Sequence, residues 1–451
     1  MEIREFAFSQ TGLRSLREHS KGQNWPVVYL INNDKPSKSE LYVGETTSAG
    51  GRFQQHLNNP ERRNLDTIRF VFDDQFNKSA ILDIEQTLIQ MFMADQKFVL
   101  QNRNGGQSCK HDYYQRALYQ AKVDEIWNEL NRALLTNQDA STIRNSNLFK
   151  YSPFNTLTPE QEQVSQDILF NAIDCLESGE SGTSVLSGKA GTGKSIVLIH
   201  MMYTLMSAMN VTYNDEDLTP DELLELGVRI SLSNKIREYV KRHGNLKIAF
   251  VVPMTSIRKT FTAVFSASKG TGLKSNMVIG PQDVLKENYD IVFVDESHRL
   301  ARRKGITSYD SFDKACAKLG LDPIVSTQLD MIQKKSKYSV LVYDGCQTVK
   351  ASDLTPEQFC GRAFMHGEVM TAEEYADRFN NYQLGNIHPD FGTLKMYDYT
   401  DHIVEMCPHC ETEVVLDAKY CKQRCPICNR LIKPCSMCAD CISPCPLGED
   451  E

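Results

Sequence analysis

The run Ser187-Gly188-Lys189-Ala190-Gly191-Thr192-Gly193-Lys194-Ser195 carries the most concentrated chemistry in this chain. It fills every fixed position of the pattern G-x-x-x-x-G-K-[ST]. Gly188, Gly191, Thr192 and Gly193 form a cradle whose backbone N–H groups can close around phosphate oxygens. A strand-like run over 183–186 enters the cradle, and a helix-like run over 196–205 leaves it. The positive end of that helix adds to the pull on an anion. In this setting Lys194 reaches the β- and γ-phosphates and Ser195 holds Mg²⁺. The chemistry is the binding of a nucleoside triphosphate, ATP.

About one hundred residues later the apolar strand over 290–294 ends in Asp295-Glu296-Ser297-His298. An acidic pair at the tip of a buried strand sits where open α/β sheets bind ligands. Asp295 is expected to hold Mg²⁺ through water, and Glu296 to orient or deprotonate the attacking water. A further strand over 339–343 ends in Asp344-Gly345-Cys346-Gln347, and Gln347 can sense the γ-phosphate or the water. Upstream stand Leu157-Thr158-Pro159-Glu160-Gln161, and between the two strands Val252-Pro253-Met254-Thr255-Ser256-Ile257-Arg258-Lys259. This ordered set resembles the first RecA-like domain of a superfamily 1 helicase. The phrasing Val294-Asp295-Glu296-Ser297-His298-Arg299-Leu300 is similar to the Schlafen group 3-like helicases. The resemblance spans about 155–355. It implies that Gln161 reads adenine and that the segment 252–259 touches the phosphates of a nucleic-acid strand. A complete helicase also has a second RecA-like domain that sends arginines across the cleft. About fifty residues separate Ala351 from the cysteine cluster, too few for a domain of that kind. Either a protein partner or a second copy supplies the arginine, or the chain is a shortened relative that keeps only the nucleotide switch.

The N-terminal region offers a second set of candidates. Trp25-Pro26-Val27-Val28-Tyr29-Leu30-Ile31 and Leu41-Tyr42-Val43-Gly44-Glu45 read as two β-runs, each with a tyrosine. Gly51-Arg52-Phe53-Gln54-Gln55-His56 follows, then a helical pattern containing Glu85, then Gln101-Asn102-Arg103-Asn104. This order resembles a GIY-YIG nuclease over about 25–106, with Val27-Val28-Tyr29 in place of Gly-Ile-Tyr. The resemblance implies that Glu85 is the protein carboxylate on Mg²⁺, polarising the scissile phosphate. Arg52 would neutralise charge on the phosphate oxygens. Tyr29 or Tyr42 would be the general base, or Tyr29 the proton carrier. His56 lies one helical turn after Arg52 and could share the proton work. Asn102 would complete the pocket by hydrogen bonding.

Nine of the fourteen cysteines lie between Cys407 and Cys445, and such clustering argues for metal rather than disulfides. Cys407-x₂-Cys410 and Cys425-x₂-Cys428, fourteen residues apart, read as a zinc ribbon, with Cys421 able to replace one ligand. Cys435, Cys438, Cys441 and Cys445 then follow C-x₂-C-x₂-C-x₃-C-P. That spacing suits a second zinc site or, as the rival, a [4Fe–4S] cluster.

Length and composition set the frame. The 451 residues suffice for two to four domains, and 41% hydrophobic with 24% charged residues is ordinary for a soluble protein. A net charge of −8 provides no global basic field, so nucleic-acid binding must rest on local patches. Neither a signal peptide nor an apolar stretch of membrane-spanning length is visible, so a cytoplasmic location without membrane partners is expected. The expected fold is α/β. Residues 1–135 form a small mixed α/β GIY-YIG-like domain, and the polar stretch 136–152 is a linker. Residues 153–400 form a RecA-like parallel-sheet ATPase, and 401–451 a small metal-stapled module. The expected activity is ATP-regulated binding and cleavage of DNA or RNA. The alternative is a nucleotide-switched adaptor for nucleic acid or protein, with a catalytically silent head.

Overall fold

The structure is a computed structural model. It describes residues 1–451 apart from 34, 36–38, 103–112, 189–190, 211–226, 307, 345–351, 355–357, 360–379, 385–401, 408, 410–412, 418–421, 427 and 433–451. By internal contacts the chain divides into two compact units. One comprises Met1–Ser165, Ser195–Glu238 and Lys259–Met277. The other comprises Gln166–Lys194, Tyr239–Arg258 and Val278–Glu451.

The first unit is built on five strands: β1 (Glu2–Ala7), β2 (Val27–Asn32), β3 (Glu40–Thr46), β4 (Thr67–Phe72) and β5 (Val99–Leu100). They lie in the order β1-β4-β2-β3-β5, antiparallel except for the β3–β5 pair. β2 is central, rich in Val and Ile, and buried along its whole length. Because successive strand side chains point to opposite faces, β2 feeds two cores. Val28 and Leu30 join Leu41 and Val43 against α3 (Lys78–Asp95) and α4 (Arg116–Arg132). Val27, Tyr29 and Ile31 join Phe53 and Phe70 on the other face, beside α1 (Gln10–Arg17) and α2 (Ala49–Asn58).

Residues 136–152 differ from the expected linker. They carry two short helices, α5 (Ala140–Asn145) and α6 (Asn147–Lys150). The Asp139 carboxylate caps α5 by accepting from the Thr142 N–H, and Ile143 is fully buried. Trp127 Nε1 donates to the Gln138 carbonyl at 2.9 Å. Asp95 accepts the backbone N–H groups of Asn137 and Gln138 at 2.9 and 3.0 Å. The polar residues that suggested a tether are partly caps and turn residues on a packed segment.

The second unit holds a six-stranded sheet in the order β11-β6-β10-β9-β7-β8, with every pairing parallel. The strands are β6 (Gly182–Gly188), β7 (Ile248–Val251), β8 (Val278–Ile279), β9 (Tyr289–Val294), β10 (Ser336–Tyr343) and β11 (Asn380–Leu384). Along the chain they alternate with α7 (Pro159–Ser178), α8 (Lys194–Asn210) and the helices Gly227–His243, Thr255–Ala267, Tyr309–Leu319 and Gln328–Lys335. This is the α/β arrangement of a RecA-like phosphate-binding domain. The strands expected over 183–186, 290–294 and 339–343 are present, and the run over 247–252, which reads the same way, forms β7, as continuous β-branched runs predict for a buried parallel sheet. β8 and β11 carry no such signal. β8 is two residues long, and β11 reads Asn-Asn-Tyr-Gln-Leu.

Near the C-terminus β12 (His402–Met406) pairs antiparallel with β13 (Glu413–Asp417), and β14 (Gln423–Arg424) with β15 (Leu431–Ile432). Among the described residues no helix is long and apolar enough to cross a membrane.

Candidate functional site

In the first unit Tyr29, Tyr42, Arg52 and His56 meet on one face of the sheet. Arg52 and His56 are one turn apart on α2, and both reach the Tyr29 hydroxyl. The Tyr29 Oη lies 2.7 Å from His56 Nε2, and Arg52 Nε donates to the same oxygen at 3.2 Å. The Tyr42 ring lies 5.0 Å from that of His56 and 6.2 Å from that of Tyr29. Gly44, opposite Tyr29 in the β2–β3 register, makes room for this phenol. A Cβ at position 44 would stand 2.3 Å from the Tyr29 oxygen.

The electrostatics fix the proton. Burial, then the neighbouring Tyr42, push the Tyr29 phenol well above its ordinary value, against the pull of Arg52. Tyr29 is therefore protonated at neutral pH. Burial, then the charges of Arg52 and Arg62, lower His56 from 6.5 to about 3. A neutral imidazole can accept, so the consistent arrangement has Tyr29 donating to His56 Nε2 and accepting from Arg52. Glu85 comes from α3, is 8% exposed, and its charge is felt at Tyr29. Asn102 is spent on the main chain: its Oδ1 accepts from Val43 N–H at 3.0 Å and its Nδ2 donates to Val43 O at 2.8 Å. It thus pins the strand that carries Tyr42 and Gly44.

In the tail the Sγ atoms of Cys407, Cys425 and Cys428 all lie within 4.8 Å of one another. Cys407 and Cys428 approach to 3.6 Å. Thiolates on one tetrahedral Zn²⁺ with bonds of about 2.3 Å lie roughly 3.8 Å apart, so the three sulfurs fit such an ion. The Cys428 N–H points to Cys425 Sγ at 3.5 Å, and Asn429 turns in the left-handed region at φ 62°. Sulfur-directed N–H groups stabilise thiolate ligands. Cys410, Cys435, Cys438, Cys441 and Cys445 lie outside the described residues.

In the second unit the parallel topology assembles the nucleotide site. The cradle follows β6, Asp344 follows β10, and Asp295-Glu296 follows β9, at the same ends of three adjacent strands. Gly191 and Gly193 both have φ of 82°, a conformation open to glycine at little cost. Lys194 is buried, donates to the Gly188 carbonyl at 2.5 Å and pairs with Asp344 Oδ2 at 3.2 Å. The cation that would meet the phosphates is thus already facing a carboxylate. Asp295 is buried at the strand tip, its N–H on the Val251 carbonyl at 3.0 Å. Glu296 sits in the left-handed region at φ 49°, which for a non-glycine residue is strained. Its Oε2 lies 2.9 Å from His298 Nε2, although the ring N–H is not aligned on that oxygen. Burial would raise the Glu296 carboxyl, but His298, with Lys194 and Arg299, holds it below the usual range. It is ionised at neutral pH, as a group that orients water must be.

Residues 182–396 match the family model of the Schlafen group 3, DNA/RNA helicase domain. The match covers just under half of the chain. It runs beyond residue 355, where the sequence resemblance was expected to stop, and takes in β11. No curated protein matches the chain. Residues 182–396 therefore carry a helicase-like, nucleotide-binding domain.

Outside that span, Gln161 and Thr158 cap α7 reciprocally: Gln161 Oε1 accepts from Thr158 N–H at 3.0 Å, and Thr158 Oγ1 from Gln161 N–H at 3.2 Å. Thr192 and Ser195 are partly exposed beside Lys194 in sequence, and Gln347 lies outside the described residues. Three residues of these sites have no individual expectation from sequence. Asp344 and His298 stand inside quoted motifs, and their contacts appear only once strands are adjacent. Arg62 lies in Pro60-Glu61-Arg62-Arg63, which reads as a solvated turn.

Proposed function

We propose that this chain is an ATP-binding, helicase-like protein whose N-terminal region is a metal-dependent endonuclease acting on DNA or RNA. The observation that carries the nuclease half is the Tyr29 hydroxyl held between His56 Nε2 and Arg52 Nε. A water attacking a phosphodiester must lose a proton as its oxygen bonds to phosphorus. In this reading Tyr29 takes that proton while passing its own to the neutral His56, and the bond to the leaving oxygen breaks. Arg52, cationic and half-buried, meets the charge that builds on the phosphate oxygens. Glu85 is the carboxylate in the field of Tyr29 and is the residue to hold Mg²⁺, which supplies polarisation of the scissile phosphate. The ATP half rests on the helicase-family match together with the Lys194, Asp295 and Glu296 arrangement. Zn²⁺ at Cys407, Cys425 and Cys428, with Cys410 as the fourth ligand, would staple the tail.

The test is cleavage of labelled single- and double-stranded DNA and RNA by the full chain, with and without Mg²⁺. Glu85→Gln is expected to lower the rate by at least about 10²-fold, the scale of losing one charge-stabilising group. A Glu85→Gln protein that cuts like the wild type removes the nuclease assignment. A wild type that binds strands and cuts none favours the adaptor reading.

A further inference from the structure

Arg62 is a buried cation beside the tyrosine cluster to which the proposed chemistry gives no task. It follows α2, in the short 3₁₀ turn Pro60–Arg62. Its guanidinium carbon lies 4.0 Å from the centroid of the Tyr42 ring, close enough for a stacked cation–π contact. Arg62 Nη1 donates to Gln101 Oε1 at 2.5 Å, and Gln101 Nε2 donates to Glu40 Oε2 at 3.1 Å. The next residue, Asn102, holds Val43 from both sides. The strand carrying Tyr42 is thus fixed by Asn102, and the ring of Tyr42 is boxed by Arg62, His56 and Tyr29.

The burial of Arg62 is what calls for a function. The residue is only 8% exposed, and its Nε is buried with no hydrogen-bond partner. Burial also pulls its guanidinium below the ordinary value. A buried charge with an unmet donor is an expensive way to fill space; an apolar side chain of similar size commonly does as well or better. Its planar fork, however, does what an apolar chain cannot: it lies flat on an aromatic ring while bonding in its own plane. It also adds to the positive field that keeps His56 uncharged, the state in which His56 accepts from Tyr29.

We propose that Arg62 is a positioning residue of the nuclease cleft, clamping the Tyr42 ring against His56 so that the phenol is preset toward the scissile phosphate. The inference rests on the nuclease reading above and adds to it a residue outside the motif order that suggested it. Arg62 does not touch the substrate in this view; it acts through Tyr42.

The experiment compares the wild type, Glu85→Gln, Arg62→Leu and Arg62→Lys as full chains. The readouts are kcat and KM for a labelled oligonucleotide in Mg²⁺ and the denaturant midpoint. Arg62→Leu is expected to lower kcat by about 10²-fold, the cost of a small misplacement of a reacting group, with KM little changed. Its midpoint is expected to stay the same or rise, because an unsatisfied buried charge is gone. Arg62→Lys keeps the charge but not the plane, so it should recover little of kcat. Three results overturn the proposal while leaving the nuclease intact, provided that Glu85→Gln abolishes cutting. They are an unchanged kcat in Arg62→Leu, a raised KM at constant kcat, or a kcat loss explained by a fallen midpoint. Cutting that survives Glu85→Gln, or a wild type that does not cut, overturns the nuclease reading itself and Arg62's role with it.

Discussion

His56 shows how one buried side chain couples charge, stability and function. Its folded value of about 3 lies below the 6.5 of an exposed imidazole. The unfolded chain therefore binds a proton at residue 56 that the folded chain refuses between about pH 6.5 and about pH 3. Stability rises with pH wherever the unfolded state holds more protons, so this residue costs stability as pH falls through that window. The expected outcome is a thermal midpoint that drops less steeply between pH 7 and pH 5 in His56→Gln than in the wild type. Parallel pH profiles for the two proteins would show that His56 is not the neutral, buried group described. The groups facing it are Tyr29, Tyr42, Arg52 and Arg62. At the other site, Glu296 reaches its place through a left-handed backbone that a short acidic turn tolerates poorly. Strain of that kind at a strand tip is typical of groups that must aim at a ligand.

At the level of elements, the tail brings three cysteine sulfurs together where a metal would supplement a small core. Its two hairpins, β12–β13 and β14–β15, pack only Cys407, Leu416, Cys425 and Ile432 as buried residues, with Cys428 partly buried beside them, in the cluster described. A Zn²⁺ held by the three thiolates would add its binding free energy to that of this small cluster in ordering the segment. Cys425→Ser is expected to lower the zinc bound by the purified chain and to expose the segment 402–432 to limited proteolysis. Equal zinc content and equal resistance in both proteins would refute a role for this cluster. The same metal analysis separates zinc from iron with sulfide at Cys435, Cys438, Cys441 and Cys445. The parallel sheet is a contrasting case: β9 and β10 bury continuous apolar runs, Ile291 to Val294 and Val340 to Tyr343.

At the scale of the whole molecule, the claim to test is that nucleotide and cleavage are linked. The helicase-like domain sets Lys194 Nζ 3.2 Å from Asp344 Oδ2. ATP would replace that carboxylate with phosphate oxygens, and the two arrangements are the states a nucleotide could switch between. Lys194→Ala is expected to abolish ATP binding. ATP should then change the cutting rate of the wild type and have no effect on that of the variant. An ATP effect of the same size in both proteins would separate the two activities.

Sequence alone determined what is local. The Gly-rich cradle, the acidic pair after an apolar strand and the four main strands of the parallel sheet follow from residue type and spacing, because backbone freedom, strand burial and helix periodicity act over a few residues. The i, i+4 spacing of Arg52 and His56 likewise foretold a shared helix face. Tertiary structure decided whatever needed distant segments to meet. The Lys194–Asp344 pair joins residues 150 apart in sequence, and Arg62 reaches Tyr42 across a turn that reads as solvated. β11 is a polar strand that pairs in parallel along the edge of β6, a partner distant in sequence. The segment leading into α5 belongs with these, since Trp127 and Asp95 hold the backbone at Gln138 and Asn137, and Ile143 is buried after it. Side-chain chemistry names the candidates, but packing sets the burial and neighbouring charge that choose their protonation and their partners.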